Sequence, residues 1–247
     1  MDKNRFLKGR YDNELDQLIL SSILGTGALE IPRDEAGWRR LGVLRLVEHR
    51  DEKRAYFQWK REILIRQGLL ANTITWLPAG ASADGVAVPI IHKVVSCPDA
   101  RISRWEAEAY RGVGQARHKV VTRQLLNRFE PWGLAIWYMD MGHLTYHPHK
   151  KRTGGTFRIT LGVKPGDRVT DEEAEILQRY FAVMWNIYFT VVRKKSAGGM
   201  GAYLRANITE GGKLLDIVRP YVHPSLADTV NPLAQKQRAL ARKQMLL

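Results

Sequence analysis

Three groups of residues in this 247-residue chain have the types and spacing for chemistry. The first is a pair of carboxylates: Asp140, near the end of LAIWYMDMG (Leu134 to Gly142), and Glu30, just after ILSSILGTG (Ile19 to Gly27). Carboxylate oxygens are the hard ligands that Mg²⁺ prefers, and each of these acids stands beside an apolar segment. The second group is His143, His147 and His149, followed by Lys150, Lys151 and Arg152. Metal-binding histidines normally come with further ligands and outer carboxylates, and only Asp140 is near in sequence, so the neighbouring cations favour a phosphate-contacting loop. The third group is the glycine runs GTG (Gly25 to Gly27) and GGMG (Gly198 to Gly201), which lack the strand, lysine and helix context of a nucleotide loop and read as turns.

The elements that must position these groups follow from periodicity. The apolar run Leu134 to Met139 is too short to cross a bilayer. Gly142 can adopt positive φ at little cost, which predicts a helix ending at Asp140 and Met141. Residues 12 to 30 open with acids suited to a helix N-terminus and place Leu15, Leu18, Ile19, Ser22 and Ile23 at helical spacing before Gly25 and Gly27 stop them. A strand is expected over Trp38 to Val47, a helix over Asp51 to Gln67 with Gly68 as its stop, and strands over Thr73 to Leu77 and Val86 to Val95 around the GASADG loop. Val120 to Phe129 reads as a short helix leading into the second apolar segment.

The later half repeats this order. Thr156 to Val163 alternates, with Phe157, Ile159 and Leu161 on one face and Arg158, Thr160 and Gly162 on the other. Thr170 with Glu173 three residues on predicts a capped helix carrying Ala174, Leu177, Phe181 and Met184. Strands over Tyr188 to Lys195 and Tyr203 to Ile208 and a short helix over Gly212 to Val218 complete it. The 115 residues from Gly27 to Gly142 therefore measure one pseudo-repeat, not a short-period solenoid.

LAIWYMDMG resembles the second signature helix of the LAGLIDADG homing endonucleases, which in the intron-encoded branch commonly reads LAIWYMDDG. ILSSILGTG resembles the first, usually of the form LILGLLLGDGSL. TRQLLNRFEPWG (Thr122 to Gly133), YFQWKREIL in the first repeat and PYVHPSL (Pro220 to Leu226) extend the likeness. The resemblance implies an α+β fold of two pseudo-symmetric αββαββα repeats whose antiparallel sheets form a nucleic-acid-binding saddle. The first repeat would span 12–125 and the second 126–230, with a basic tail over 231–247 that is either a contact arm or a frayed terminus. It also implies that the signature helices pack side by side through small residues, here Ser21 and Ser22, and that an acid at the foot of each binds divalent metal at the scissile phosphates.

Thr26 and Met141 stand at those two acid positions. A neutral hydroxyl and a soft thioether do not replace carboxylates for Mg²⁺, so the resemblance implies a nucleic-acid-binding protein without metal-dependent cleavage and without a cofactor. The alternative is an active, Mg²⁺-dependent, site-specific endonuclease for double-stranded DNA in which Asp140, with Glu30, has taken over the metal. Asp140 lies one residue before the matched acid, about 100° around the helix, and is expected to be a helix-end or solvent-facing acid. Glu30 is expected on a strand surface.

A formal charge of +14 makes a polyanion the default partner, because each cation that neutralises a phosphate releases a counterion. The excess is uneven: residues 143 to 247 hold 17 Lys plus Arg against 8 Asp plus Glu, so the later half should dominate phosphate contact. Outward strand faces are where base edges would be read, since a two-stranded ribbon fits the major groove. That selects Arg158 and Thr160 with Arg193, Lys195, Arg205 and Asn207, and in the first half Arg45, then Thr73, Thr75, His92 and Lys93. His147, His149, Lys150, Lys151 and Arg152 add a loop. The expected partner is DNA or structured RNA, bound by a monomeric pseudo-dimer acting as a maturase, ribonucleoprotein component or regulator; a protein-interaction factor on the same scaffold is a further alternative. One cysteine, Cys97, excludes a disulfide framework. With neither a secretory signal nor a membrane span in the sequence, the expected location is a reducing intracellular compartment, cytoplasm or organelle matrix.

Overall fold

The computed structural model of the chain describes residues 14–69 apart from 34, 37, 39 and 49, residues 75–77, residues 91–149, and residues 154–244 apart from 165, 166, 197 and 198. The chain divides into two compact units, Met1–Val120 and Val121–Leu247.

The first unit begins with the apolar-rich helix α1 (Glu14–Leu24), whose residues Leu15 to Leu24 are all buried. A helix covered on every side lies within a core, which sets it apart from an amphipathic surface helix. Ser21 and Ser22 are fully buried, and their hydroxyls donate to the carbonyls of Gln17 and Leu18 at 2.6 Å, so two polar groups are satisfied within the helix. There follow β1 (Ala28–Glu30), β2 (Val43–Glu48), α2 (Arg54–Arg66), β3 (Thr75–Leu77), β4 (Ile91–Val95) and α3 (Ala100–Ala109), then a two-stranded ribbon of β5 (Tyr110–Arg111) and β6 (His118–Lys119). Gly68 ends α2 at φ 75, with Leu69 N–H reaching back to the Leu64 carbonyl at 2.8 Å, as its placement in the sequence predicts.

The second unit runs α4 (Arg123–Leu126), α5 (Pro131–Met141), β7 (Gly142–Pro148), β8 (Gly155–Val163), α6 (Asp171–Tyr180), β9 (Thr190–Ser196), β10 (Gly199–Ala206), α7 (Ile208–Val218) and α8 (Pro232–Gln244). The sheet orders are β1-β2-β4-β3 and β7-β8-β10-β9, every pairing antiparallel. Each unit thus carries the αββαββα order around one four-stranded antiparallel sheet, the fold class the sequence implied.

In α5, Gly133 to Asp140 are buried without a break. Fully burying a large apolar side chain such as Leu134 or Ile136 contributes about 1.5–3 kcal/mol. Trp137 stacks on Phe129 at 5.4 Å and donates its indole N–H to the Gly162 carbonyl at 2.8 Å. Tyr138 donates to the Thr229 carbonyl at 3.1 Å, and burial pushes its phenol well above the usual tyrosine value. Gly211 brings α7 against β8: a Cβ there would stand 2.4 Å from Ile159 Cδ1.

The Thr170–Glu173 capping box forms as its spacing predicts. Glu173 also does more: its carboxylate accepts the buried Lys164 ammonium at 2.8 Å on both oxygens and the Val121 N–H at 2.7 Å. Beyond α6 the chain makes a π turn over Phe181–Trp185, closed by Asn186 in the left-handed region at φ 54. The wider turn changes the helical phase, so Met184, expected inward, is partly exposed.

The last segment, expected as either a contact arm or a frayed terminus, is largely helical. Asn231 caps it by accepting the Leu233 N–H at 3.0 Å, and α8 then lies along β7.

Candidate nucleic-acid interface

Antiparallel register decides which side chains share a face, because directly opposed residues point the same way. In the second sheet Arg205 opposes Thr160 on β8 and Thr190 on β9, and Thr160 opposes His143 on β7. One step along, Arg158 opposes Thr145, and Thr156 opposes His147. Leu144, Tyr146, Ile159, Leu161, Leu204 and Ala206 take the other face and are buried under the helices. The structure therefore brings His143, Thr145, His147, Thr156, Arg158, Thr160 and Arg205 together on one open face, with Tyr203 beside them.

Other residues expected with them stand elsewhere. Arg193 opposes Ala202, which is buried, so it lies on the helix-covered side at the sheet edge. There its guanidinium pairs with Asp171 at 2.6 Å and reaches the carbonyls of Val169 and Thr170. Lys195 opposes Met200 and has the same strand parity as Arg193. Asn207 is the N-cap of α7, its Oδ1 accepting the Glu210 N–H at 2.9 Å. His149 is exposed just past β7, while Lys150, Lys151 and Arg152 lie outside the described residues.

The first sheet presents a different surface. Arg45 opposes Ala28 and Val95, and its guanidinium pairs with Glu30 at 2.7 Å. Lys93 opposes Val47 and Thr75. His92, expected outward, opposes Glu48 and is fully buried, with its ring 6.0 Å from that of Phe57; here the expectation is corrected, because β4 turns this position toward α2. Thr73 lies outside the described residues.

The feet of α1 and α5 decide what metal chemistry is open. Thr26 is half-buried in the turn after α1, where the Gly25 and Gly27 N–H groups bond back to the Ser21 and Ser22 carbonyls. Met141 is half-buried at the end of α5, and its methyl lies over Gly162, where an added Cβ would sit 2.5 Å from it. Gly142 has φ −82, so the expected positive φ is corrected: α5 passes directly into β7. The glycine is needed for space, since a Cβ would meet the Tyr138 ring at 2.3 Å. Asp140 stands at the end of α5, one of the two positions expected for it, and is only 1% exposed, so it does not face solvent. Glu30 is held by Arg45. Among the described residues, no group of three or more His, Cys, Asp or Glu side chains is arranged to hold a metal ion.

Sequence reasoning missed a cluster at β1. Tyr110 accepts the Leu29 N–H at 3.0 Å, Arg117 lies over the Tyr110 ring and donates to the Leu29 carbonyl at 2.7 Å, and Lys119 donates to the Gly27 carbonyl at 2.7 Å. These side chains satisfy the open edge of β1. Two-residue strands such as β5 and β6 leave no periodic signal that could have found them.

Two signature-like helices thus each lead into an antiparallel sheet of the same strand order. Residues 101–210 match the family described as the LAGLIDADG DNA endonuclease family. That stretch is similar to the LAGLIDADG DNA endonucleases. The fold of the chain is similar to that of the LAGLIDADG homing endonuclease I-GzeII in complex with its DNA target, with a TM-score of 0.51 and 7% identity over 94% of this chain and 92% of that one. It is likewise similar to the LAGLIDADG meganuclease I-AabMI bound to uncleaved DNA, with a TM-score of 0.51 and 12% identity over 92% of each chain. Protein RecA of Mycobacterium shimoidei is 27% identical over 215 residues, covering 85% of this chain and 44% of that protein. The chain spans about half the length or less of the curated relatives it matches, so no activity passes from them to this chain. No helix among the described residues is long and apolar enough to cross a membrane.

Proposed function

We propose that this chain is a nucleic-acid-binding protein of LAGLIDADG type that engages its target through open sheet faces and has lost metal-dependent cleavage. The observation that carries this reading is the donor chemistry at the two feet: a hydroxyl at Thr26 and a thioether at Met141, neither a substitute for a carboxylate toward Mg²⁺. The open row of Arg158, Thr160, Arg205 and His143 supports retained binding, since Arg can pair with guanine and with phosphate. The net charge of +14 supports a phosphate-rich partner.

Duplex DNA and structured RNA are both targets such a face can meet; the roles that follow are those of a maturase, a ribonucleoprotein component or a DNA-binding regulator. Sequencing of nucleic acid crosslinked to the protein in cells tests the reading. Enrichment of a defined set of DNA or RNA sites is the expected result, and a crosslinked pool matching input would refute it. The competing active endonuclease would need Asp140 as a metal ligand. Its burial to 1% and the Glu30–Arg45 ion pair count against that arrangement. A cleaving protein would lose activity on Asp140→Asn while keeping affinity; a protein without cleavage excludes this second reading.

A further inference from the structure

We propose that one flank of α8, marked by Lys236 and Lys243, is a phosphate-contacting rim beside the open face of the second sheet. This rests on the nucleic-acid reading above and adds to it a surface outside the sheet. Over Pro232–Gln244 the helix holds Lys236, Arg238, Arg242 and Lys243 and no acid. The helix dipole favours cations in the last turn, which gives Arg242 and Lys243 a stabilising role. It favours acids in the first turn, so it gives no reason for Lys236 directly after that turn.

Helical spacing and the contacts of α8 decide which way each cation lies. At about 100° per residue, Pro232, Gln235 and Ala239 share one side, and all three are partly buried, so that side meets β7. Arg238 stands on one flank of it and pairs with Asp228 at 2.7 Å, while the Gln235 amide donates to the Asp228 carbonyl at 2.8 Å. Asp228 belongs to the turn Pro224–Val230, whose Thr229 carbonyl accepts the Tyr138 hydroxyl of α5, on the helix-covered side of the sheet. The opposite flank therefore turns toward the open face. Lys236 lies there and is exposed, and Lys243, seven residues on, shares that flank by spacing. β7 is the end strand of its sheet, and its outward residues His143, Thr145 and His147 are exposed alongside. Leu233 and Leu240, 70% and 41% exposed, stand next to the two lysines around the helix. Cations beside exposed apolar side chains suit the phosphates and sugars of a nucleic-acid backbone, contacts that position a partner without reading its bases.

Fluorescence anisotropy across a salt series tests this on the full chain, with a random-sequence DNA duplex and with a duplex selected from a library. The variant is Lys236→Gln with Lys243→Gln, because glutamine keeps the helix propensity of lysine. The control, Arg179→Gln with Arg219→Gln, removes the same charge from exposed positions on α6 and just past α7, on the helix-covered side. Two lost phosphate contacts lower the slope of log affinity against log salt by about 1.8. A fourfold rise in salt then costs the wild type about twelvefold more affinity than it costs the lysine variant. The fall is the same for both duplexes, and the control keeps the wild-type slope. An unchanged slope in the lysine variant, an equal fall in the control, or a loss confined to the selected duplex overturns the rim. If Arg158→Ala weakens the selected duplex while the lysine variant binds like the wild type, the rim alone fails. If the wild type binds neither duplex at any salt concentration, both the rim and the duplex reading on which it rests are refuted.

Discussion

Replacing Arg158 and Arg205 with alanine, singly and together, probes the open face directly, and Arg193→Ala supplies a control of the same residue type in the same sheet. Arg158 and Arg205 stand on neighbouring strands, with Thr160 opposite Arg205 and two residues from Arg158. Arg193 is on the helix-covered side, paired with Asp171. If each open-face arginine contacts a phosphate, its loss lowers the slope of log affinity against log salt by about 0.9 for B-form DNA. If it pairs with a base, its loss costs about 1–3 kcal/mol, or about 5- to 150-fold in affinity, for the preferred sequence. Diagonal neighbours about 7–8 Å apart share a local environment, so the double variant should depart from the sum of the singles. Arg193→Ala should leave both slope and affinity unchanged and cost at most about 1 kcal/mol of stability, because Asp171 is largely exposed. Fluorescence anisotropy with a labelled duplex across a salt series measures all four proteins. Equal losses for Arg193→Ala and the open-face variants, or no loss for any of them, would refute the face assignment.

Three further outcomes follow from contacts away from that face. Gly142→Ala should destabilise the protein by about 1–3 kcal/mol through the clash with Tyr138, although φ −82 suits alanine; an unchanged melting temperature would show that α5 yields easily. Glu173→Ala should cost about 3–5 kcal/mol in urea unfolding, since it strands the buried Lys164 ammonium and the Val121 N–H; a small change would mean that water reaches the site. Glu48 is under opposing influences: burial raises its carboxyl, but Lys53, Arg50 and Lys60 together hold it below the usual carboxylate range. A lowered folded value gives stability that is present above the unfolded value and lost as pH falls through the folded one. The penalty of Glu48→Gln should therefore be full at neutral pH and fade below about pH 4, near the unfolded glutamate value; urea midpoints across pH check this, and a penalty that persists in acid contradicts it.

What the sequence made legible was what local chemistry determines. The apolar-rich runs at Ile19 and Leu134, the Thr170–Glu173 box and the Gly68 stop each act over a few residues, and each appears where expected. Alternation in β8 was equally readable, because Ile159 and Leu161 interleave with Arg158 and Thr160. The run TVVRKKS in β9 has adjacent valines and adjacent lysines, so its parity is set only by register against β10, and Arg193 falls on the side opposite Arg205. Asn207 lay in view as a cap, with Glu210 three residues on, but extending the strand through Ile208 concealed it. Gly142 shows a different limit: a helix stop was legible, yet its cause is the Tyr138 ring pressing on the glycine rather than a left-handed turn. Lys119, Arg117 and Tyr110 were beyond reach, since their meaning depends on a β1 edge some 80 to 90 residues away in sequence.

The most direct test of the account is incubation of the protein, in Mg²⁺, with a randomised duplex library, followed by sequencing of retained and cleaved molecules from the same reaction. Binding without cleavage predicts a retained, salt-sensitive set of related sequences whose strands are intact. Recovery of that set with Mg²⁺-dependent breaks at a fixed position in both strands would contradict it.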